Sequence, residues 1–279
     1  MPNPELLRDI ATQPLDDQLR RDAALAYELE GQPERARFIR TQLMIAALPF
    51  GIDDPQWFAL TRESRQLLLE YEGRWLEADG LFAPESGQFR FDRGFVELVE
   101  MSVPDILQER LGPLVAGAPI RHVDVLPADD DFEPAALFQA LAQQIGQRVI
   151  SLELAGLDLR DDHVGLFTEW TWPQLRWLSL EDNFLTRDGI ALLAQSWTER
   201  TPALEFVDLM GNEFDPAHEL EYDQDVVLRW RGEEVDDLEV TLGRPIPWLR
   251  PMLDRGRIRP IERLEFGRPQ HVPRSGARG

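Results

Sequence analysis

Residues 175–185 read Leu-Arg-Trp-Leu-Ser-Leu-Glu-Asp-Asn-Phe-Leu, and the spacing of the apolar positions in this stretch decides the fold. Leu175, Leu178 and Leu180 hold the first, fourth and sixth places, Asn183 the ninth and Leu185 the eleventh. Alternation at Leu178 and Leu180 is that of a strand with one face buried. The same frame recurs as Ile120-x-x-Val123-x-Val125, Val149-x-x-Leu152-x-Leu154 and Leu204-x-x-Val207-x-Leu209, with separations of 29, 26 and 29 residues. Four units at one period predict an architecture in which each unit buries its apolar side against its neighbours.

Between the strands the period changes to that of a helix. Pro134 to Ile145 carries Ala136, Leu137, Ala140 and Leu141, and Asp188 to Trp197 carries Ile190, Leu193, Ala194 and Trp197. The whole frame, L-x-x-L-x-L-x-x-N-x-L, resembles the leucine-rich repeat. Thr186-Arg187-Asp188-Gly189 resembles its long, ribonuclease-inhibitor-like subtype. That resemblance implies an α/β fold, a short leucine-rich-repeat solenoid with parallel strands on the concave side and helices on the convex side, spanning residues 87–216. In the family the asparagine of the frame bonds turn backbone between neighbouring coils. Here Asn183 and Asn212 fill the position, and Ala128 and Leu157 stand there in the first two units, whose turns are expected to be satisfied differently.

Upstream, residues 1–80 form a small α-helical module. Asp16 or Asp17 caps a helix that reaches Glu30 and stops at Gly31, Pro33 opens a second that runs toward Pro49, and Asp54 or Pro55 opens a third, with Phe58, Arg62, Arg65 and Leu69 strung along it, that ends near Leu76. The three are expected to pack on one another. The segment Glu34-Arg35-Ala36-Arg37-Phe38-Ile39-Arg40-Thr41-Gln42, with Arg20 and Gly31 eleven residues apart ahead of it, resembles the repeat-companion domain that precedes leucine-rich repeats in bacterial proteins. Ala23-Ala24-Leu25-Ala26 replaces the Y-A-D-W of that family, and the resemblance carries no chemistry with it. A break at Gly80–Gly87 follows. Phe89 to Met101, centred on Phe91-Asp92-Arg93-Gly94-Phe95, predicts a hairpin or capping strand, and Val103 to Ala116 a helix. Beyond Pro216 the repeat dissolves. Val226–Trp230 and Leu238–Leu242 read as short strands, so residues 217–279 form a C-terminal cap with an arginine-rich tail that frays from Gly267.

Composition narrows the function. With 51 acids against 29 basic residues in 279, the net charge of −22 disfavours nucleic acid and anionic membrane as partners, and suits a basic protein. The charge is uneven, since nine arginines face three acids from Arg244 onward, among them Arg255, Arg257, Arg259 and Arg263. Neutralisation of the acidic body is the simplest use of that tail. Every basic residue is arginine, which excludes lysine Schiff-base and P-loop chemistry, and the absence of cysteine excludes disulfides and thiolate nucleophiles. No apolar run is long enough for a transmembrane helix, and no leader pattern opens the chain, so a cytoplasmic location is expected.

Strand alternation also defines a candidate face. If the Leu/Val positions point inward, His122, Ser151, Trp177 and Phe206 form one outward column, and Asp124, Glu153, Ser179 and Asp208 a second. A third holds Leu126, Ala155, Glu181 and Met210. Aromatics beside carboxylates suit protein recognition, with Asp124, Glu153, Trp177, Ser179, Glu181, Phe206 and Asp208 as the partner-binding set. No catalytic residue, cofactor or metal is expected: His122, His163, His218 and His271 do not pair at ligand spacing. Asp161-Asp162-His163 reads as a surface loop, and the acids at 219, 221, 223 and 225 as solvated charge without calcium-loop spacing. Asp129-Asp130-Asp131 extends the negative face. The resulting expectation is a non-catalytic protein-interaction module. Two alternatives are an acidic inhibitor or immunity-type protein for a basic enzyme, and a carboxylate-based hydrolase.

Overall fold

A computed structural model describes residues 4–13, 16–48, 55–81, 88–127, 132–204, 206–209, 212–213, 220–221, 227–233 and 261–267. The chain opens with four helices, α1 (Pro4–Thr12), α2 (Asp17–Leu29), α3 (Pro33–Ala47) and α4 (Pro55–Ala78). Asp16 caps α2, its carboxylate accepting the N–H groups of Gln18 and Leu19, and Gly31 leaves that helix at φ +78°, where a side chain is strained. A hairpin follows, β1 (Phe89–Asp92) and β2 (Phe95–Ser102), turned by Arg93 and Gly94, both at positive φ. This is the two-residue turn that fits the twist of paired strands. Gly94 is also needed for space, because a Cβ there would lie 2.8 Å from the Cα of Ile39 in α3.

Then come α5 (Val103–Leu107), α6 (Leu111–Gly117), β3 (His122–Leu126), α7 (Pro134–Ile145), β4 (Ser151–Glu153), α8 (Asp161–Phe167), β5 (Trp177–Ser179), α9 (Arg187–Arg200) and β6 (Phe206–Asp208). The short strands β7 (Leu220–Glu221), β8 (Val227–Glu233) and β9 (Ile261–Gly267) complete the order. Strands β2 to β6 are parallel and adjacent in sequence order, as strand–helix–strand connections require. β1 lies antiparallel at one edge, and β9, β8 and β7 follow antiparallel beyond β6.

Register follows the repeat frame residue for residue. Val99, Val123, Leu152, Leu178 and Val207 are aligned across five strands, and Val123, Leu152, Leu178 and Val207 hold the same place in the four units. These residues join Phe138 and Leu141 of α7, Val164 and Phe167 of α8 and Leu193 of α9 in one apolar core, so the helices cover one face of the sheet. Fully buried side chains of this size each contribute on the order of 2 kcal/mol. The result is a two-layer α/β arrangement.

Three expectations change. The helix foreseen over Val103–Ala116 is two, because Glu109 takes φ +59° and breaks it. Asp161-Asp162-His163 is the first turn of α8, not a loop. The helical module gains a helix, α1, ahead of the three foreseen, which do pack on one another; along α4 the buried side is Leu60, Ser64, Leu67 and Trp75, and Phe58 and Leu69 are 51% and 90% exposed. The strand at Leu238–Leu242, the arginines at 255, 257 and 259, and the acids at 129–131 lie outside the described residues. No described helix is long and apolar enough to cross a membrane.

Candidate partner-binding face

Parallel pairing turns the two outward columns into rows. Leu98, His122, Ser151, Trp177 and Phe206 are partners across β2 to β6, and so are Glu100, Asp124, Glu153, Ser179 and Asp208. Four of the five residues in the second row are carboxylate residues, with Ser179 standing between Glu153 and Asp208. Glu100 is tied by Arg90 of β1, whose Nε and Nη2 donate to its Oε1 at 3.2 and 3.0 Å.

Alternation holds, but exposure does not follow from it. His122, Asp124, Ser151, Trp177 and Ser179 are all buried, Trp177 to 4% and Asp124 to 3%. Glu153 and Glu181 are half-buried, and none of these residues lacks a partner within the chain. For Phe206 and Asp208 the structure gives strand position and register alone. Among the described residues no group of three or more His, Cys, Asp or Glu side chains is arranged to hold a metal ion.

The turns after these strands are built by asparagine. Asn183, 2% exposed, accepts the N–H groups of Leu157 and Leu159 at 3.1 and 2.9 Å, and donates to the carbonyls of Leu154 and Leu180, both at 2.9 Å. It therefore satisfies the turn of the preceding unit. Asn212 does the same one unit later, accepting from Leu185 N at 2.9 Å and donating to Leu180 O at 2.7 Å. Leu157, in the asparagine place of the second unit, points into the core instead. On the helical side, Asp161 accepts the Thr186 N–H at 2.9 Å and its hydroxyl at 2.6 Å, and a Cβ on Gly189 would collide with that carboxylate.

A second polar constellation joins the helical module to the sheet. Glu97 of β2, wholly buried, pairs with both Arg20 of α2 and Arg121 just before β3. Arg20 also donates to the carbonyls of Asp92 and Arg93 at 3.3 and 3.2 Å, and Arg93 lies 3.8 Å from Asp17 and 3.7 Å from Asp92. Burial works against the Glu97 carboxylate, but Arg20, Arg121 and Arg93 outweigh it and hold its pKa below the ordinary value. Asp92 goes the other way: burial, reinforced by the charge of Glu97, lifts it to about 6 against the opposing arginines.

Nearby, the buried Arg35 of α3 is ringed by aromatics, its guanidinium carbon 4.8 Å from the Trp75 ring centre, 5.2 Å from Phe91, 5.6 Å from Tyr27 and 5.7 Å from Phe95. Its Nη2 meets Asp79 at 3.0 Å, and burial lifts Tyr27 to about 12. Arg20 and Arg35 stand at motif positions in the sequence, yet nothing in the sequence marks them as buried, and Glu97 and Arg121 carry no signal beyond an acid and a base within strand-forming segments.

The class that this arrangement defines is a two-layer α/β protein with a mostly parallel, open sheet, fronted by a helical module. No protein-family model and no curated protein matches the chain.

Proposed function

We propose that this chain is a non-catalytic protein-interaction module of the leucine-rich-repeat type, with an N-terminal repeat-companion-like module, and that it uses the strand face opposite the helices to hold a basic protein partner. The observation that supports this reading most is the row Glu100, Asp124, Glu153, Ser179, Asp208 laid in register across five parallel strands. Glu100 is already paired with Arg90, so the acidic residues further along the row are the ones that would steer a cationic partner and set its orientation. Because Asp124, Trp177 and Ser179 are buried, first contact falls to the half-exposed Glu153 and Glu181.

The test is affinity purification with the wild-type chain and the double variant Glu153→Lys/Glu181→Lys, over a range of salt. Loss of the captured protein in the variant, and a wild-type affinity that falls steeply with salt, is the expected outcome. An unchanged captured set removes this face from consideration. The net charge of −22 favours the narrower reading of an inhibitor or immunity-type protein, which requires the captured protein to be a basic enzyme whose activity the chain suppresses.

A further inference from the structure

All four residues of β1 line a groove of ≈310 Å³ whose opposite wall is α3 and α4. Because both faces of the strand contribute, the groove follows the strand's edge. β1 is the outermost strand, paired to β2 on one side, and among the described residues nothing pairs with its other edge. An edge strand directs alternate N–H and C=O groups outward, already aligned for another extended chain. The irregularity between Arg90 and Phe91 limits such pairing to a few residues.

The opposite wall supplies side-chain chemistry. Trp57, Leu68 and Ile45 give an apolar floor with Phe89, and the Thr61 hydroxyl in the same groove has no hydrogen-bond partner among the described residues. At the rim, Arg65 is exposed, with Arg62 close by on the same exposed side of α4, between Phe58 and Leu69. The groove is also lined by the acids Glu72 and Asp92, but at its rim this ridge of two arginines between two exposed apolar side chains favours an acidic, partly apolar visitor.

We propose that the groove takes a short extended segment of a partner protein, added as a strand to the free edge of β1. A large apolar side chain enters between Trp57, Leu68 and Ile45, and a carboxylate two residues away, on the same side of the segment, meets Arg65. The volume fits one or two large side chains at the low end of ligand pockets. This site meets the carboxylate row at Arg90, which pairs with Glu100, and takes a partner of opposite charge.

The probe is a library of fluorescein-labelled heptapeptides of pattern Thr-Φ-Thr-Glu-Thr-Φ-Thr, with Φ valine, leucine or phenylalanine, titrated into the full chain by fluorescence anisotropy. At least one member is expected to bind with a Kd of roughly 100 µM or tighter, and to weaken about tenfold when alternate amides are N-methylated, when Glu becomes Lys, or against Arg65→Glu. Amide exchange should slow at Phe89–Asp92 on binding. Arg65 is exposed, so its variant should fold, and the N-methylated peptides test the same point on the wild-type chain. No binding tighter than about 1 mM, equal binding of the N-methylated peptide, or slowed exchange elsewhere overturns the proposal.

Discussion

Arg35 in the helical module and Asn183 in the third repeat are both buried polar side chains, 1% and 2% exposed, but they are accommodated in opposite ways. Asn183 serves backbone: its amide closes bonds to a turn in the previous unit, and Asn212 repeats the arrangement one period on. Arg35 serves side chains, held by Asp79 and the faces of several aromatics from α2, α4, β1 and β2. One solution is periodic and neutral. The other is unique and charged, and so is the Arg20–Glu97–Arg121 cluster that joins the module to the sheet. A neutral amide bonded to carbonyls and N–H groups carries little desolvation cost, whereas a buried ion is tolerable only while its partners remain.

The difference can be broken first at Glu97. Glu97→Ala leaves Arg20 and Arg121 buried without their carboxylate and should cost about 3–5 kcal/mol in urea unfolding. Replacing Arg20, Glu97 and Arg121 together with methionine should cost far less, and if the triple variant is as unstable as the single one, charge is not what the cluster contributes. Next in size is Asn183→Ala, which strands buried backbone groups of the previous turn and should cost about 2–3 kcal/mol, against about 1 kcal/mol for the less buried Asn212→Ala. Equal losses would mean that burial of the turn does not set the cost.

Acid sharpens the contrast further. The pKa of Asp92 is raised in the folded chain to about 6, so its contribution to stability grows as pH falls through 6 toward the unfolded value of 3.8. Glu97 is lowered, so its contribution is present above 4.5 and is lost as pH falls below that. Between pH 7 and pH 5 the wild type should therefore gain stability relative to Asp92→Asn, read as the difference in urea midpoints at the two pH values. A constant difference would place the Asp92 carboxyl in ordinary solvent. The smallest effect belongs to exposed charge: Arg40→Ala, which removes the surface pair with Glu28, should change stability by less than about 0.5 kcal/mol.

The legible part of the fold is the part with a period. The frame through Val123, Leu152, Leu178 and Val207 predicts strand, partner and register, because side chains alternate and identical units can stack only in phase. Local rules likewise reach a cap at Asp16 or Asp17, of which Asp16 is the one used, and a hairpin or capping strand centred on Phe91–Phe95, where Arg93 and Gly94 make the hairpin turn, since each involves neighbours in the chain. The candidate face is half legible: alternation places Asp124, Glu153, Ser179 and Asp208 in one row, yet says nothing of what lies over them.

What the tertiary structure alone decides is which polar groups meet across long stretches of chain. Glu97 finds Arg20 from 77 residues away, Arg35 finds Asp79 from 44, and no spacing rule links such positions. Exposure is equally non-local, which is why Trp177 and Asp124 are buried on a face read as outward. The sequence by itself determined the repeat and its register, through short-range alternation and a fixed period. Burial, ion pairing and the free edge of β1 depend on packing among distant segments, and only the folded chain supplies that.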